Sequence, residues 1–115
     1  MIQNLDFTFI GKNSKLKGDF VFQNETKLTG DLEGTIDILD RAKLTLEIGS
    51  KTIGIIKCFD IDIYGIFEGE IISKGHVSIF PTADVNGKIM AQSLEVLPGA
   101  NLNMVGHAED LTENL

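Results

Sequence analysis

Tryptophan is absent from this 115-residue sequence, which also has one cysteine, two prolines and no long hydrophobic run. A single cysteine excludes an internal disulfide and favours a reducing compartment, so we expect a cytoplasmic protein. No apolar stretch approaches the roughly 18 residues that a membrane-spanning helix requires. The first ten residues also lack the basic start and the continuous apolar stretch of a secretory signal. These absences predict one soluble domain that does not cross a membrane.

Basic residues are scarce relative to acids, with 10 Lys and Arg against 17 Asp and Glu, which gives a formal net charge of −7. Binding to nucleic acid would require a clustered basic face, because Lys and Arg make the phosphate contacts. Acids interrupt the one concentration of lysines, which comprises Lys12, Lys15, Lys17 and Lys27. We therefore expect no nucleic-acid partner and interpret these lysines as a solvated surface, with a weak contact to an anionic surface as the alternative.

Glycine is abundant by comparison, with 12 residues, and five of them share one motif, Gly-x-apolar-x-small. The motif starts at Gly18, Gly34, Gly54, Gly69 and Gly87, and a degraded copy starts at Met104. Successive starts are 16, 20, 15, 18 and 17 residues apart, without helical spacing inside the repeat. That period is typical of a β-solenoid, in which the chain climbs one strand spacing per turn. We interpret the glycines as positions that need unusual dihedrals or a close approach to the next turn.

Between the motifs, apolar and polar residues alternate with a period of two, which is typical of strands with one buried face. The pattern is clear at residues 44–48, 58–63, 77–79 and 93–97, and a bulge or loop is expected near residues 48–50. We therefore predict an all-β fold, a β-solenoid of about six turns over residues 8–108. A short N-terminal tail over residues 1–7 and an acidic C-terminal tail over residues 109–115 complete the predicted organisation.

The predicted solenoid has two open ends. Each end strand presents unpaired N–H and C=O groups, and its apolar side chains face an uncovered core. Solenoids that stay monomeric usually carry polar caps, whereas here only the two short tails lie outside the repeats. We therefore predict end-to-end self-association. The candidate polymer-interface residues are Phe9, Leu16, Phe20 and Phe22 at one end, and Leu94, Val96, Leu102, Met104 and Val105 at the other.

We predict no catalytic, cofactor-binding or metal-binding residues. His76 follows a glycine at a predicted turn and His107 lies in the degraded last motif, so both are interpreted as exposed or satisfied histidines. Cys58 holds the last, small position of its motif and is interpreted as a packed residue rather than a reactive thiol. Acids at i and i+2 are interpreted as a solubilising outward surface. These acid pairs are Asp60 with Asp62 and Glu68 with Glu70.

Two other functions remain alternatives to a polymer at this point. One is a β-helix acyltransferase similar to the hexapeptide-repeat enzymes, which requires a six-residue apolar period and a catalytic histidine at a subunit interface. The other is a β-helix that does not polymerise and displays a flat face to a binding partner. Light scattering would separate a polymer from a discrete oligomer, and an acyl-CoA binding test would identify the enzyme.

Four segments carry motifs that occur in a specific order. Residues 8–11 read TFIG and are followed by LKGDF at residues 16–20. Residues 28–36 read LTGDLEGTI, a pattern echoed as IYGIFEGEI at residues 63–71, and residues 94–102 read LEVLPGANL. Together these motifs resemble the bactofilins, polymer-forming cytoskeletal proteins of bacteria, over residues 8–108. One departure is Met104, which stands where the family usually has a further glycine.

The resemblance implies a right-handed parallel β-helix with a three-sided core that assembles end to end into nucleotide-independent, apolar filaments. It also implies a scaffold associated with the inner face of the cytoplasmic membrane, acting in cell shape or in the placement of cell-wall enzymes. The expected partners are other copies of the chain, the inner membrane surface, and cell-wall or morphogenesis proteins, with no cofactor. The candidate membrane-binding tail comprises Met1, Ile2, Leu5 and Phe7.

Overall fold

The computed structural model describes the backbone of residues 7–113 and the side chains of residues 8–103. Eleven strands form one sheet in which all paired neighbours are parallel. In chain order they are β1 (Phe7–Ile10), β2 (Lys15–Phe22), β3 (Glu25–Leu28), β4 (Asp31–Ile38), β5 (Lys43–Leu46), β6 (Lys51–Cys58), β7 (Asp60–Ile63), β8 (Ile66–Ser73), β9 (His76–Ile79), β10 (Asp84–Val96) and β11 (Asn101–Glu113).

The chain winds as a parallel β-solenoid. Each of the first four turns has an eight-residue strand followed by a four-residue strand, and β10 and β11 supply turns five and six as continuous strands of 13 residues. The eight-residue strands stack in the order β2, β4, β6 and β8, and the four-residue strands stack in the order β1, β3, β5, β7 and β9. The first and last parts of the longer strand β10 continue these two stacks. The structure is thus a β-solenoid of about six turns, which confirms the predicted fold.

A column of glycines divides each long strand. Gly18, Gly34, Gly54, Gly69 and Gly87 are in register, with φ between 135 and 141°. A Cβ on Gly34 would lie 1.8 Å from the carbonyl oxygen of Gly18, and the later glycines show the same relationship to the turn before them. Only glycine satisfies both the dihedral and the close approach. The corner at this glycine divides the long strand into two straight segments, and the short strand that follows is the third. The solenoid therefore has three faces.

The three faces are named here by their place in each turn. The first face consists of the residues before the glycine, the second face of the residues after it, and the third face of the four-residue strands. In turn two these segments are residues 31–33, 35–38 and 43–46. Side chains alternate between the core and the solvent on all three faces, because successive residues of a strand point to opposite sides.

Stacked aliphatic side chains fill the core. Ile36, Ile56, Ile71 and Ile89 follow one another in register, and each is at most 1% exposed. Burial of each such side chain contributes about 1.5 to 3 kcal/mol, which makes this column a main source of stability. Cys58 lies at the edge of the core, 6% exposed and in register with Ser73. Burial raises the pKa of the Cys58 thiol to about 12, which agrees with its interpretation as a packed residue.

The structure differs from the sequence prediction at two boundaries. Strand β5 ends at Leu46, two residues before the end of the alternating pattern at residues 44–48. The loop expected near residues 48–50 therefore spans residues 47–50 and leaves Ile48 exposed. Strand β11 continues to Glu113, past the predicted boundary at residue 108. Its last residues pair with β10, from Ser93 opposite Asp110 to Val96 opposite Glu113. The expected acidic tail thus supplies the third-face strand of the last turn.

Candidate functional site

The N-terminal end of the solenoid is an open sheet edge. Strand β1 pairs only with β3, and β2 pairs only with β4, so each has one unpaired side among the described residues. A Cβ added to Gly18 would meet no atom of the described residues within 4 Å, in contrast to the equivalent glycine of every later turn through Gly87. An open parallel edge can accept a further strand through main-chain hydrogen bonds.

Three apolar side chains of β2 line this open end. Leu16, Phe20 and Phe22 pack against the core but remain only partly buried. The rings of Phe20 and Phe22 are stacked, with centroids 6.2 Å apart and an interplanar angle of 11°. Their partners in the next turn, Leu32, Ile36 and Ile38, are 1 to 4% exposed. Leu16, Phe20 and Phe22 are therefore core side chains that no turn covers on one side among the described residues.

Phe9 occupies a different place from the other three N-terminal candidates. It is 61% exposed and in register with Lys27, on the outer side of the third face. Strand alternation explains this position, because Thr8 and Ile10 are in register with the buried Thr26 and Leu28. Phe9 thus lies at the rim of the N-terminal end and outside its core opening.

The C-terminal end is formed by β11, whose one described neighbour is β10. Leu94 and Val96 belong to β10, in turn five, and are 0% and 7% exposed. Positions 111 and 113 of β11 lie over them, so these two candidates are interior residues and not part of the final turn. Sequence reasoning placed them at the end because residues 109–113 contain one apolar residue and were interpreted as a tail.

Three other candidates do lie on the final turn. Leu102 packs against the core and is partly buried. Met104 and Val105 are in register with Gly87 and Lys88, while their side chains lie outside the described residues. Met104 interrupts the glycine column, in which each earlier residue from Gly34 onward stacks with no room for a Cβ. The last corner thus carries a larger residue than any corner before it.

His76 lies on the outer side of the third face. Its Nδ1 is 2.5 Å from the Ser93 hydroxyl, and its backbone N–H donates to Asp60 Oδ1 at 2.9 Å. Its Nε2 is 3.8 Å from Glu95 Oε1. These contacts link the strands of successive turns on an outward sheet surface. Over the described residues, no three His, Cys, Asp or Glu side chains are arranged to hold a metal ion. The side chain of His107 lies outside the described residues.

The acid pairs also lie on outer surfaces. Asp62 forms a 2.6 Å ion pair with Lys43, and hydrogen bonding to Asp62 raises the pKa of that lysine. Glu68 and Glu70 lie on either side of Gly69, on the first and second faces. Asp60 accepts the hydrogen bond from the His76 backbone. Two of the four carboxylates therefore take part in contacts between turns.

The candidate membrane tail lies largely outside the described residues. Met1, Ile2 and Leu5 precede the described segment, and only the backbone of Phe7 is described, as the start of β1. Between residues 7 and 113, no helical segment has the length and hydropathy of a membrane span.

Comparison with known proteins connects this architecture to one family. The bactofilin family model, described as polymer-forming cytoskeletal, matches residues 8–105. Searches of curated proteins and of solved structures gave no match. The matched segment covers the solenoid from the open strand β1 into the final turn, including the glycine column. On this match and this fold, the chain belongs to the bactofilin family of polymer-forming cytoskeletal proteins.

Proposed function

We propose that this chain assembles end to end into filaments through the open N-terminal and C-terminal ends of its solenoid. The observation that carries the proposal is the row of half-covered Leu16, Phe20 and Phe22 on an edge strand. A further turn would bury them as turns one and three bury Leu32 and Ile36 of turn two. Complete burial of a large apolar side chain contributes about 1.5 to 3 kcal/mol, and the strand edge would gain main-chain hydrogen bonds.

Assembly of this kind requires no nucleotide. The contacts are apolar packing and main-chain pairing, and both are already present between the turns of one chain. The five repeat glycines lie in strands and not in a phosphate-binding loop, and their close approach serves the stacking of turns. Filament growth in the absence of nucleotide is therefore the expected behaviour.

We further propose that the filaments act as a membrane-associated scaffold for cell shape or for the placement of cell-wall enzymes. The apolar residues Met1, Ile2 and Leu5 precede an N-terminal end that carries the exposed Lys12 and Lys15. One short apolar segment binds a bilayer only weakly, whereas a filament displays it many times. Flotation of filaments with anionic vesicles on a density gradient tests this arrangement, with Leu5→Glu as the variant whose filaments are expected to stay at the bottom.

Negative-stain electron microscopy of the purified, nucleotide-free protein tests the assembly itself. Wild-type protein should form long, thin filaments. Phe20→Arg should abolish them while circular dichroism retains the β spectrum, because a buried, unpaired charge arises only in the assembled state. Val21→Arg is the matched control, since Val21 lies on the same strand, points outward and is 62% exposed. Discrete monomers or trimers of the wild type, or normal filaments of Phe20→Arg, would contradict the proposal.

A further inference from the structure

The second face of the solenoid carries apolar side chains that point outward, away from the core. Val21, Ile55 and Met90 are 62%, 39% and 41% exposed, and Ile72 is partly exposed. This face is a flat stack of parallel segments with two outward residues in each turn. The first outward column reads Asp19, Thr35, Ile55, Glu70 and Lys88, and the second reads Val21, Asp37, Lys57, Ile72 and Met90.

The first column is complementary to itself when its order is reversed. Asp19 and Lys88 lie two turns on either side of Ile55, or about 10 Å at the usual strand spacing. A second copy with an antiparallel axis, related by a two-fold axis at Ile55, therefore places Asp19 opposite Lys88 at both ends of the contact. Ile55 then meets its own equivalent at the centre, and Thr35, whose hydroxyl donates to Asp19 of its own chain, lies opposite Glu70.

The second column is compatible with the same arrangement. Val21 lies opposite Met90 at both ends, which joins two exposed apolar side chains, and Asp37 lies opposite Ile72. Lys57 approaches its own equivalent near the two-fold axis, but each Lys57 is in register with an Asp37 of its own chain. The central group thus contains two lysines and two aspartates and is electrically balanced. We infer that the second face pairs with the second face of another copy, with the two solenoid axes antiparallel.

The competing arrangements match less well. With parallel axes, a two-fold along the solenoid would bring the first column against the second in the same turn. Asp19 would then face Val21, and Lys88 would face Met90, so the pairing of Asp19 with Lys88 is lost and both charges lie against apolar groups. The first face, paired antiparallel with its centre at Ile53, would bring Glu33 against Glu68. Like charges in such positions oppose association, so the second face is the favoured surface.

The size of the contact shows when pairing should occur. Five turns at about 4.8 Å, by four residues at about 3.3 Å, give a footprint of roughly 300 Å² per copy. A stable pair of isolated proteins usually buries about 1,200 to 2,000 Å² in total. One solenoid therefore pairs weakly, whereas a filament adds one such contact per subunit. In this respect the inference rests on the proposed end-to-end assembly and predicts that filaments occur as laterally joined pairs.

Charge reversal tests the pairing within filaments. Electron microscopy should show two-solenoid filaments for the wild type and single-solenoid filaments for Asp19→Lys and for Lys88→Asp, because each places like charges opposite each other. The double variant Asp19→Lys, Lys88→Asp should restore the paired width. Single-width wild-type filaments, or one width for all four proteins, would overturn the inference while leaving end-to-end assembly intact.

Disulfide trapping tests the same pairing without relying on filaments. In a Cys58→Ser background, Ile55→Cys should form a crosslinked dimer under mild oxidation at high protein concentration, because the two-fold axis places residue 55 opposite itself. Ile66→Cys is the matched control, since Ile66 is 42% exposed but lies on the first face. Equal crosslinking at both positions, or none at position 55, would overturn the inference. Crosslinking at position 55 in a sample without filaments would support the lateral pairing. The missing filaments would then contradict only the proposed end-to-end assembly.

Discussion

Gly34 lies so close to Gly18 that a Cβ added to Gly34 would fall 1.8 Å from the carbonyl oxygen of Gly18. The same contact recurs in turns three, four and five, at 1.8 to 1.9 Å. Close backbone approach at one corner fixes the separation of successive turns along that edge of the solenoid. The glycine column is therefore a structural requirement of the stack, and it extends without interruption from the first turn to the fifth.

Gly54→Ala should destabilise the fold much more than Gly18→Ala. Both positions have φ of 141°, so both variants carry backbone strain of about 1 to 3 kcal/mol. Only the Gly54 variant also places a Cβ 1.8 Å from a carbonyl oxygen, whereas that of Gly18 meets nothing within 4 Å. We expect a total loss of roughly 3 kcal/mol or more for Gly54→Ala. Urea unfolding in the non-polymerising Phe20→Arg background measures the difference, and equal losses would contradict the prediction.

Met104→Gly should strengthen the pairing of β11 with β10. It extends the glycine column into β11, in register with Gly87, and removes the Cβ that the stacking of earlier turns excludes. Hydrogen exchange of β11 amides should slow relative to the wild type, while exchange in turns two to four remains unchanged. Met104→Ala is the control, because alanine retains the Cβ. If both variants slow exchange equally, the glycine geometry is not the reason.

The glycine repeat allowed the fold to be predicted, because a glycine at φ near 140° in each of the first five turns leaves a direct mark in the sequence. The register of the third face was harder to predict, since the corner before it varies. Residues 39–42 form that corner in turn two, whereas Phe59 alone forms it in turn three. The contact between His76 and Ser93 depends on this variable register and could not be derived from spacing.

The ends were predicted in part. Phe20 and Phe22 follow the core alternation of β2, and the structure places them at the open N-terminal end. Phe9, in contrast, is an outward residue of β1, because strand alternation directs its neighbours Thr8 and Ile10 inward. The final third-face strand was missed because Leu111 is its one strongly apolar residue, which gives a weak alternating signal.

Thr52→Val should stabilise the protein by about 1 kcal/mol. Thr52 is 1% exposed, lies between Leu32 and Phe67 in the core, and its hydroxyl has no hydrogen-bond partner in the described part of the chain. Valine has a similar shape and removes the cost of an unsatisfied buried polar group, which is about 1 to 3 kcal/mol. Thermal unfolding of the Phe20→Arg background with and without this change provides the measurement.

Thr26→Val is the matched control for that substitution. Thr26 is also 1% exposed, but its hydroxyl donates to the carbonyl oxygen of Asn24 at 3.0 Å. Its replacement should destabilise the fold by about 1 kcal/mol, because the hydrogen bond is lost and the carbonyl loses a partner. Effects of the same sign at both positions would show that the hydroxyls are not the cause.

The free energy of unfolding should fall between about pH 9 and pH 12 because of the buried Cys58 thiol. Burial raises the pKa of this thiol from 9.0 to about 12, so the folded state retains the proton after the unfolded chain has released it. The stabilisation is complete below the unfolded pKa and is lost as the pH rises through this window, because unfolding then releases a proton. Urea unfolding at several pH values, compared with Cys58→Ser, isolates the contribution of this thiol, since the other titrating groups are common to both proteins. Parallel stability curves for the two proteins over this range would contradict the prediction. A buried, protonated thiol is unreactive at pH 8, so rapid labelling of the folded protein by a thiol reagent at that pH would contradict it as well.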